Sequence, residues 1–449
     1  MKIKKIALAC AAAGITLIGA GQAQAANWLQ LQGTEPEGSA GRAKVWGLIQ
    51  AQYQKDFSDP NAGGAYVPPK LIGPDLTTQS AFNVNRARIG VRGANFPLDG
   101  KTNYFILVEF GNNALTNQKD SYAPRLSDAS ITLNQIPGAR VRLGLFKTPG
   151  SEEALQGIVN IDYINFTEVT NQLMLERFQS AHRAADVSNT PPQPLPPTTS
   201  LSQFDRPVGA FRDVGLQVFD WFNAGGLEHT YALMVGNGNG VNFTDDNSEK
   251  DIYGYWSTAK VFGGKGPRRE DLKGFAWFQT GKRTWDDGSG SKDYDRKRWG
   301  VGVRYMKKPF RAQAEYMAGE GMIFNGPDKP NHNLTVPASS GLEAKGKGYY
   351  FDVGYFVPNT KFELDARYDY YSRLDGSDYQ LDWKALTLGV QYHLNKKTRI
   401  TANYAFRDVE AVNFGPGGTS SPSDPAGPNP NGNLDGIGNR ASIQITAIY

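Results

Sequence analysis

The feature that most constrains this chain is a hydropathy period of two residues. It recurs in about sixteen segments, each near the ~10 residues that a tilted membrane strand requires. Apolar and polar residues alternate clearly in Val45–Gln54 and in Ala441–Tyr449, where the chain ends on an aromatic residue. No stretch after the first twenty-five residues is apolar enough for a spanning helix. The pattern therefore predicts strands with one apolar face.

The connections between these segments alternate between long and short. Lys55–Ala81 is long, Ala94–Thr102 is short, Asn112–Leu126 is long and Gln135–Ala139 is short. Long outer loops and short periplasmic turns are typical of bacterial barrels, whereas a soluble sandwich has no such rhythm. The sequence predicts an all-β fold, a transmembrane antiparallel β-barrel of about 16 strands.

The amino terminus has the order of a signal peptide. Met1–Lys5 is basic, Ile6–Ala20 is apolar and Ala23–Ala25 supplies small residues at a cleavage site. We expect cleavage after Ala25, which leaves a signal peptide at 1–25 and a barrel at 26–449 in the Gram-negative outer membrane. The only cysteine, Cys10, lies in the leader, so disulfides are not expected.

Composition agrees with a barrel. The mean hydropathy of −0.48 is low, as expected when only every second strand residue faces lipid. The chain has 48 basic and 44 acidic residues, and this near balance lacks the basic excess that indicates nucleic-acid binding. We predict that the tryptophans belong to aromatic girdles and pore rims: Trp46, Trp221, Trp256, Trp277, Trp299 and Trp383.

The third outer connection, from Lys147 to about Arg212, is far longer than ordinary loops. We expect Ser151–Pro197 to fold into the lumen and narrow it; the alternative is a flap on the outer surface. The segment is net acidic, and the predicted constriction residues are Glu152, Glu153, Glu168 and Arg177.

Arginines share one strand face in three segments. Arg86, Arg88 and Arg92 alternate with Ala87, Ile89 and Val91, and Arg140 and Arg142 alternate with Val141, Leu143 and Leu145. In Lys297–Tyr305, Arg298 and Arg304 oppose Val301 and Val303. Because the apolar residues must face lipid, these arginines should point into the lumen as an anion track. The alternative is that they are merely solvated polar residues of a lumenal face.

Several stretches resemble the phosphate- and polyphosphate-selective porin family. They are Asn85–Gly93, Arg142–Pro149, Leu175–Phe178, Phe211–Gln217, Tyr231–Gly238, Gly348–Tyr355, Ala366–Asp369 and Leu388–Asn395. The resemblance implies a sixteen-stranded barrel, a homotrimer, a third loop that forms a constriction and lumenal arginines that guide anions. The chain departs from that pattern in lacking a lysine cluster at the constriction.

Catalysis has little support in the sequence. The four histidines have no zinc-ligand spacing, and neither a nucleophile motif nor a phosphate loop is present. We therefore predict no enzyme activity, no cofactor and no metal. The predicted function is a passive, water-filled outer-membrane porin for small hydrophilic solutes, leaning to inorganic anions such as phosphate. The alternatives are a weakly selective general diffusion porin, or a barrel that serves as an adhesin or partner sheath.

Overall fold

Sixteen antiparallel strands form a closed barrel in which each strand pairs with its sequence neighbours and β1 pairs with β16. The computed structural model describes residues 43–58, 80–94, 100–113, 124–174, 211–238, 240–241, 245, 247–264, 266, 268–286, 291–324, 336, 338–414 and 430–449. The leader, Arg177 and the proline-rich Pro191–Pro197 segment lie outside these residues. The predicted fold class is confirmed.

The strands follow one another along the chain with little other secondary structure between them. They are β1 Lys44–Asp56, β2 Ser80–Ala94, β3 Thr102–Glu109, β4 Arg125–Leu133, β5 Arg140–Lys147, β6 Arg212–Ala224, β7 Leu227–Gly236, β8 Asp251–Gly263, β9 Glu270–Asp286, β10 Ser291–Lys307, β11 Phe310–Glu320, β12 Lys345–Phe356, β13 Phe362–Arg373, β14 Leu381–Asn395, β15 Thr398–Ala411 and β16 Arg440–Ile448. Among the residues that the structure describes, two short α-helices span Glu152–Leu155 and Pro430–Leu434. No helix in the described part of the chain could cross a membrane.

Alternation along each strand separates an outer apolar face from an inner polar face. In β16, Ile443 and Ile445 are 48% and 43% exposed, whereas Ser442, Gln444 and Thr446 between them are buried inside. This is the orientation that the sequence predicts. A period of two therefore places apolar side chains toward lipid and polar ones toward the lumen.

The barrel closes where the last residue meets the first strand. Tyr449 and Gly47 exchange two backbone hydrogen bonds of 3.0 and 3.2 Å, and the Tyr449 hydroxyl donates to the carbonyl oxygen of Arg88 at 3.1 Å. A Cβ atom at residue 47 would lie 2.3 Å from the Tyr449 ring, so only glycine fits beneath it. Closure of the barrel therefore uses side-chain contacts of Tyr449 as well as backbone hydrogen bonds between the strands.

The two ends and the two sides of the barrel differ. At one end the hairpins are tight: Gly225 and Gly226 join β6 to β7 with φ values of 61° and 74°, which a type I′ turn requires. That end is the periplasmic end in bacterial barrels. Around the wall, β3 and β5 have 8 residues each, whereas β9 and β10 have 17 each. The wall is therefore low on one side and high on the other.

We expect deletion of Tyr449 to reduce the amount of folded, heat-modifiable barrel sharply, because both backbone bonds to Gly47 and the ring contact are lost. The Tyr449→Phe variant is the matched control: it loses only the hydroxyl contact, worth about 1 kcal/mol, and should assemble nearly normally. Gel-shift assays of outer-membrane fractions measure both. Normal assembly of the deletion variant would contradict this role of Tyr449.

Candidate functional site

The described start of the third outer connection, residues 148–174, contacts inward-facing side chains across the lumen. The backbone N–H of Ile164 donates to Asn403 of β15 at 2.8 Å, and that of Glu168 donates to Asp369 of β13 at 2.9 Å. The Arg399 guanidinium donates to the carbonyl oxygen of Ile161. Residues 148–174 therefore lie inside the barrel and are called the inner segment below.

The inner segment is held at its beginning by one buried carboxyl group, that of Glu315 on β11. This group accepts hydrogen bonds from the Ser151 hydroxyl (3.0 Å) and the Glu152 backbone N–H (3.2 Å). It also accepts from the Trp277 indole and the Tyr350 hydroxyl, each at 2.8 Å. Four donors therefore converge on this one buried carboxyl group. Glu315 thus fixes where the segment starts.

Lysine also stabilises the short helix Glu152–Leu155. The ammonium of Lys147 donates to the carbonyl oxygens of Ala154 (2.8 Å) and Gln156 (2.5 Å). Both carbonyl groups lie at the carboxyl end of this helix. Cations favour that end because the last carbonyl groups lack helical partners. The lysine that ends β5 therefore shapes the segment that follows it.

A second anchor is an ion-pair network around Arg311 of β11. The guanidinium lies 2.8 Å from Glu363, 2.5 Å from Asp365 and 3.3 Å from Asp162 of the inner segment, and it also contacts Asp352. Burial alone would raise the pKa of Asp162, but Arg268, Arg311 and Arg399 hold that pKa below its usual value. Asp162 therefore remains an ion and keeps the segment attached to β11.

Arg298 of β10 joins two outer connections. Its guanidinium donates to the carbonyl oxygen of Leu173 in the inner segment at 2.9 Å, and to those of Gly321 (2.9 Å) and Met322 (2.8 Å) in the sixth outer connection. Gly321 has φ 71°, and a Cβ there would lie 1.9 Å from the Asp295 carbonyl oxygen. This arginine is consequently a structural anchor.

Inside the barrel, an apolar cluster packs on the inner segment. Val169 and Leu173 are almost fully buried in it, with Met317 of β11. Trp277 and Trp383 belong to the same cluster and are 3% and 5% exposed, so the prediction that these two form a girdle or rim was wrong. In contrast, Trp256 and Trp299 are 46% and 47% exposed on the outer face.

The five arginines of the predicted anion track occupy the inward parity of β2 and β5. Arg86 donates to the amide oxygen of Gln50 (2.8 Å), and Arg142 donates to the Thr132 hydroxyl (3.3 Å), both neutral groups. Two other members pair with carboxylates, Arg88 with Glu109 and Arg140 with Asp220. Arg92, at the periplasmic end of β2, is half-buried.

The predicted constriction residues do not face those arginines. Glu152 pairs with Lys273 of β9, and its other oxygen accepts from the Tyr255 hydroxyl at 3.3 Å. Glu153 pairs with Arg367 of β13 at 3.2 Å and accepts from Thr167. The Glu168 carboxylate accepts from Gln172 at 3.1 Å. Arg177 lies outside the described residues. The two paired carboxylates are thus neutralised by the wall opposite β2–β5.

Sequence reasoning missed Glu315 and Arg311 as anchors. It predicted that Arg298 faces inward, because Arg298 opposes Val301 and Val303 on β10, but assigned it to a basic strip and not to an anchor. Their partners were not readable, since each contacts groups more than 100 residues away along the chain, such as Leu173 for Arg298.

Comparisons with known proteins agree with this architecture. The model of the family described as phosphate-selective porin O and P matches residues 223–416, from the end of β6 to just past β15. The protein is an outer-membrane porin. The family resemblance inferred from the sequence is thereby confirmed. No curated protein matches this porin.

Solved structures share its barrel at low sequence identity. The anion-selective porin from Comamonas acidovorans has a TM-score of 0.53 and 14% identity, over 92% of this chain and 100% of that one. The trimer form of OmpT from Vibrio cholerae has a TM-score of 0.50 and 14% identity, over 92% and 100%. The channel DcaP of Acinetobacter baumannii has 0.49 and 13%, over 93% and 99%. These likenesses concern the fold of the porin.

We expect Glu315→Ala to loosen the inner segment, because four buried donors lose their acceptor. Leaving a buried donor without its acceptor costs about 1–3 kcal/mol, so amide exchange of peptides from 148–174 should quicken roughly 10- to 100-fold. Exchange measured by mass spectrometry in detergent tests this, and single-channel conductance should become less uniform.

Gln156→Ala is the matched control on the same segment, since its side chain makes only a 3.5 Å contact with Gln313. Its exchange should stay close to that of the wild-type porin. Equal exchange in the Glu315 variant and the control would show that Glu315 does not anchor the segment.

Proposed function

We propose that this porin is a passive channel, and not an enzyme, through which small hydrophilic solutes cross the outer membrane with a preference for inorganic anions such as phosphate. The observation that best supports this proposal is the net charge of the side chains on strands β2–β6. Their carboxylates are Glu109, Asp128, Asp213 and Asp220, whereas their basic residues are Arg86, Arg88, Arg92, Arg125, Arg140, Arg142, Lys147 and Arg212. This side of the barrel is net positive.

Several contacts support an anion path along this side. The inner segment turns its paired carboxylates, Glu152 and Glu153, toward Lys273 and Arg367 on the other side. Those carboxylates therefore do not offset the arginines of β2 and β5. Guanidinium groups stay protonated in proteins, and a narrow channel lined by one sign of charge raises the local concentration of counter-ions. The anion-selective porin of Comamonas acidovorans has the same fold.

We also propose that the inner segment sets the narrowest part of the channel. A sixteen-stranded barrel leaves an aqueous lumen unless something fills it. Residues 148–174 cross that lumen and bind β9, β10, β11, β13 and β15. The anchors at Glu315 and Arg311 would keep the opening constant in size. A constriction of fixed width and a positive wall together favour small anions over large solutes.

The test is the reversal potential in a salt gradient for wild-type porin and for Arg86→Ala/Arg88→Ala/Arg92→Ala. Wild type should prefer anions, and the permeability ratio should fall roughly two- to threefold in the triple variant. The effect should be larger at low salt, because screening acts within about 10 Å at 0.1 M. Chloride and phosphate are compared as permeants.

A charge-neutral control separates selectivity from disturbance of the wall. Arg88→Ala/Glu109→Ala removes an ion pair and leaves the net charge unchanged. Its permeability ratio should remain near that of wild type. A wild-type channel that prefers cations, or a control that falls as far as the triple variant, would overturn the anion proposal.

For assembly, we propose that the leader 1–25 is removed and that the porin forms a homotrimer through its low wall. Strands β3, β4 and β5 have 8, 9 and 8 residues, at or below the ~9–11 that a tilted strand needs to span the membrane. Their outer face is apolar, with Ile106, Ile131 and Leu143 all exposed. A neighbouring subunit would complete this low wall, and OmpT of Vibrio cholerae has a trimer form.

We expect Leu143→Arg to yield monomers, because three unpaired charges would be buried at the subunit contacts. Val303→Arg on the high wall is the matched control, since Val303 is also outward and is 45% exposed. The mass of the porin in mild detergent, measured by native mass spectrometry, should be trimeric for wild type and the control. A monomeric wild type would refute the assembly.

A further inference from the structure

A row of exposed lysines follows the periplasmic end of the high wall. Each of four consecutive hairpins, from β8–β9 to β14–β15, contributes at least one. We propose that this lysine belt binds the phosphate groups of anionic phospholipids in the leaflet that faces the periplasm. Its members are Lys260, Lys307, Lys308, Lys361, Lys396 and Lys397.

The belt differs from the lysines at the opposite end of the same strands. There, five lysines form ion pairs, such as Lys297 with Asp295 at 2.7 Å and Lys347 with Asp375 at 2.9 Å, whereas Lys292 and Lys345 have no carboxylate of the described residues within 4.0 Å. The others are Lys250 with Asp245, Lys282 with Glu249, and Lys384 with Glu410. Within the described ranges, no belt lysine has a carboxylate within 4.0 Å. The Lys361 ammonium donates to the carbonyl oxygen of Leu394 at 3.1 Å, which leaves its positive charge unpaired by any carboxylate of the described residues. The belt therefore presents positive charge to an external anion.

The carboxylates near the lysine belt do not neutralise its positive charge. Glu270, at the start of β9, uses its carboxylate to accept the backbone N–H of Lys308 at 3.3 Å. Glu228 pairs with Arg269 at 2.8 Å, and Glu363 pairs with Arg311 inside the lumen. The nearest carboxylates are thus engaged with other groups.

Aromatic rings beside the belt indicate a lipid partner. Phe262, Phe310 and Phe362 lie on the outer face at this end and are 43%, 56% and 46% exposed. The Lys307 ammonium lies 5.5 Å from the centre of the Phe262 ring. A ring at headgroup level with a lysine beyond it is the arrangement that membrane interfaces favour, because the stem is apolar and the ammonium reaches the headgroups.

Lysines are fewer where the wall is low. The described turns Asn134–Ala139 and Gly225–Gly226, which join β4 to β5 and β6 to β7, contain no basic residue before Arg140, and the described part of the β2–β3 hairpin contributes one exposed lysine, Lys101. On the proposed assembly, that side contacts other subunits and not lipid. Most of the exposed hairpin lysines therefore lie on the side that would border the bilayer. Surface lysines attract anionic lipid with roughly fivefold preference each.

The experiment measures lipid contact directly. The full-length mature porin is reconstituted in phosphatidylcholine, and the motionally restricted fraction of spin-labelled phosphatidylglycerol is compared with that of spin-labelled phosphatidylcholine. Wild type should select phosphatidylglycerol about fivefold. The six-site Lys→Gln variant of the belt should lose this preference, and raised salt should weaken it in wild type.

The matched control replaces the paired lysines of the opposite end, Lys250, Lys282, Lys297, Lys347 and Lys384, by glutamine, and its lipid preference should persist. A wild type without preference, or a control that loses it equally, overturns the proposal. So does displacement of the lipid by millimolar inorganic phosphate, which would make the belt a site for the free ion. Binding of acidic peptidoglycan that depends on the belt, with unchanged lipid preference, also overturns it.

Channel selectivity is recorded on the same variants. The belt variant should keep the wild-type reversal potential, because its lysines lie outside the lumen. A lost anion preference with unchanged lipid contact would instead assign the belt to the channel mouth. The triple arginine variant tests the anion channel separately, so failure of either proposal is recognised independently.

Discussion

Closure of the hydrogen-bond ladder is the constraint on which the rest of this porin depends. Hydrocarbon offers no partner for a strand edge, and each unpaired N–H or C=O group there costs several kcal/mol. Pairing of β1 with β16 removes both edges, down to the exchange between Gly47 and Tyr449. Once the barrel is closed, the period of two decides for each side chain whether it meets lipid or the lumen.

Inside the barrel, the partner of each charged residue determines its role. Arg298 and Arg311 have the same chemistry as Arg86 and Arg142, but the first two bind backbone carbonyls or carboxylates of the inner segment. Such arginines hold structure together, since removing one partner would leave a buried charge uncompensated. Arg86 donates to Gln50 and Arg142 donates to Thr132, on a wall where basic residues outnumber acidic ones. Position around the barrel therefore separates anchors from candidate pore residues.

Much of the fold was predictable because a barrel strand obeys a local rule. The alternation in Ala441–Tyr449 predicted which side chains face lipid, and the alternating loop lengths predicted the topology. The aromatic residues were harder, because β9 carries rings on both faces: Phe275 and Trp277 point inward and Phe278 points outward. Which face holds a cluster depends on the segment that packs against it. The partners of Glu152 and Glu153 likewise depend on contacts far along the chain.

The bonds from Arg298 to Leu173, Gly321 and Met322 bear on how the outer surface of this porin can evolve. Surface loops vary in sequence, and most positions in a loop tolerate exchange. Residues 321 and 322 are different, because a change that moves their carbonyl oxygens also removes support from the segment inside the channel. Selection for permeation would thereby conserve these two buried residues, of which Met322 is only 3% exposed, while exposed positions of the outer loops are free to vary.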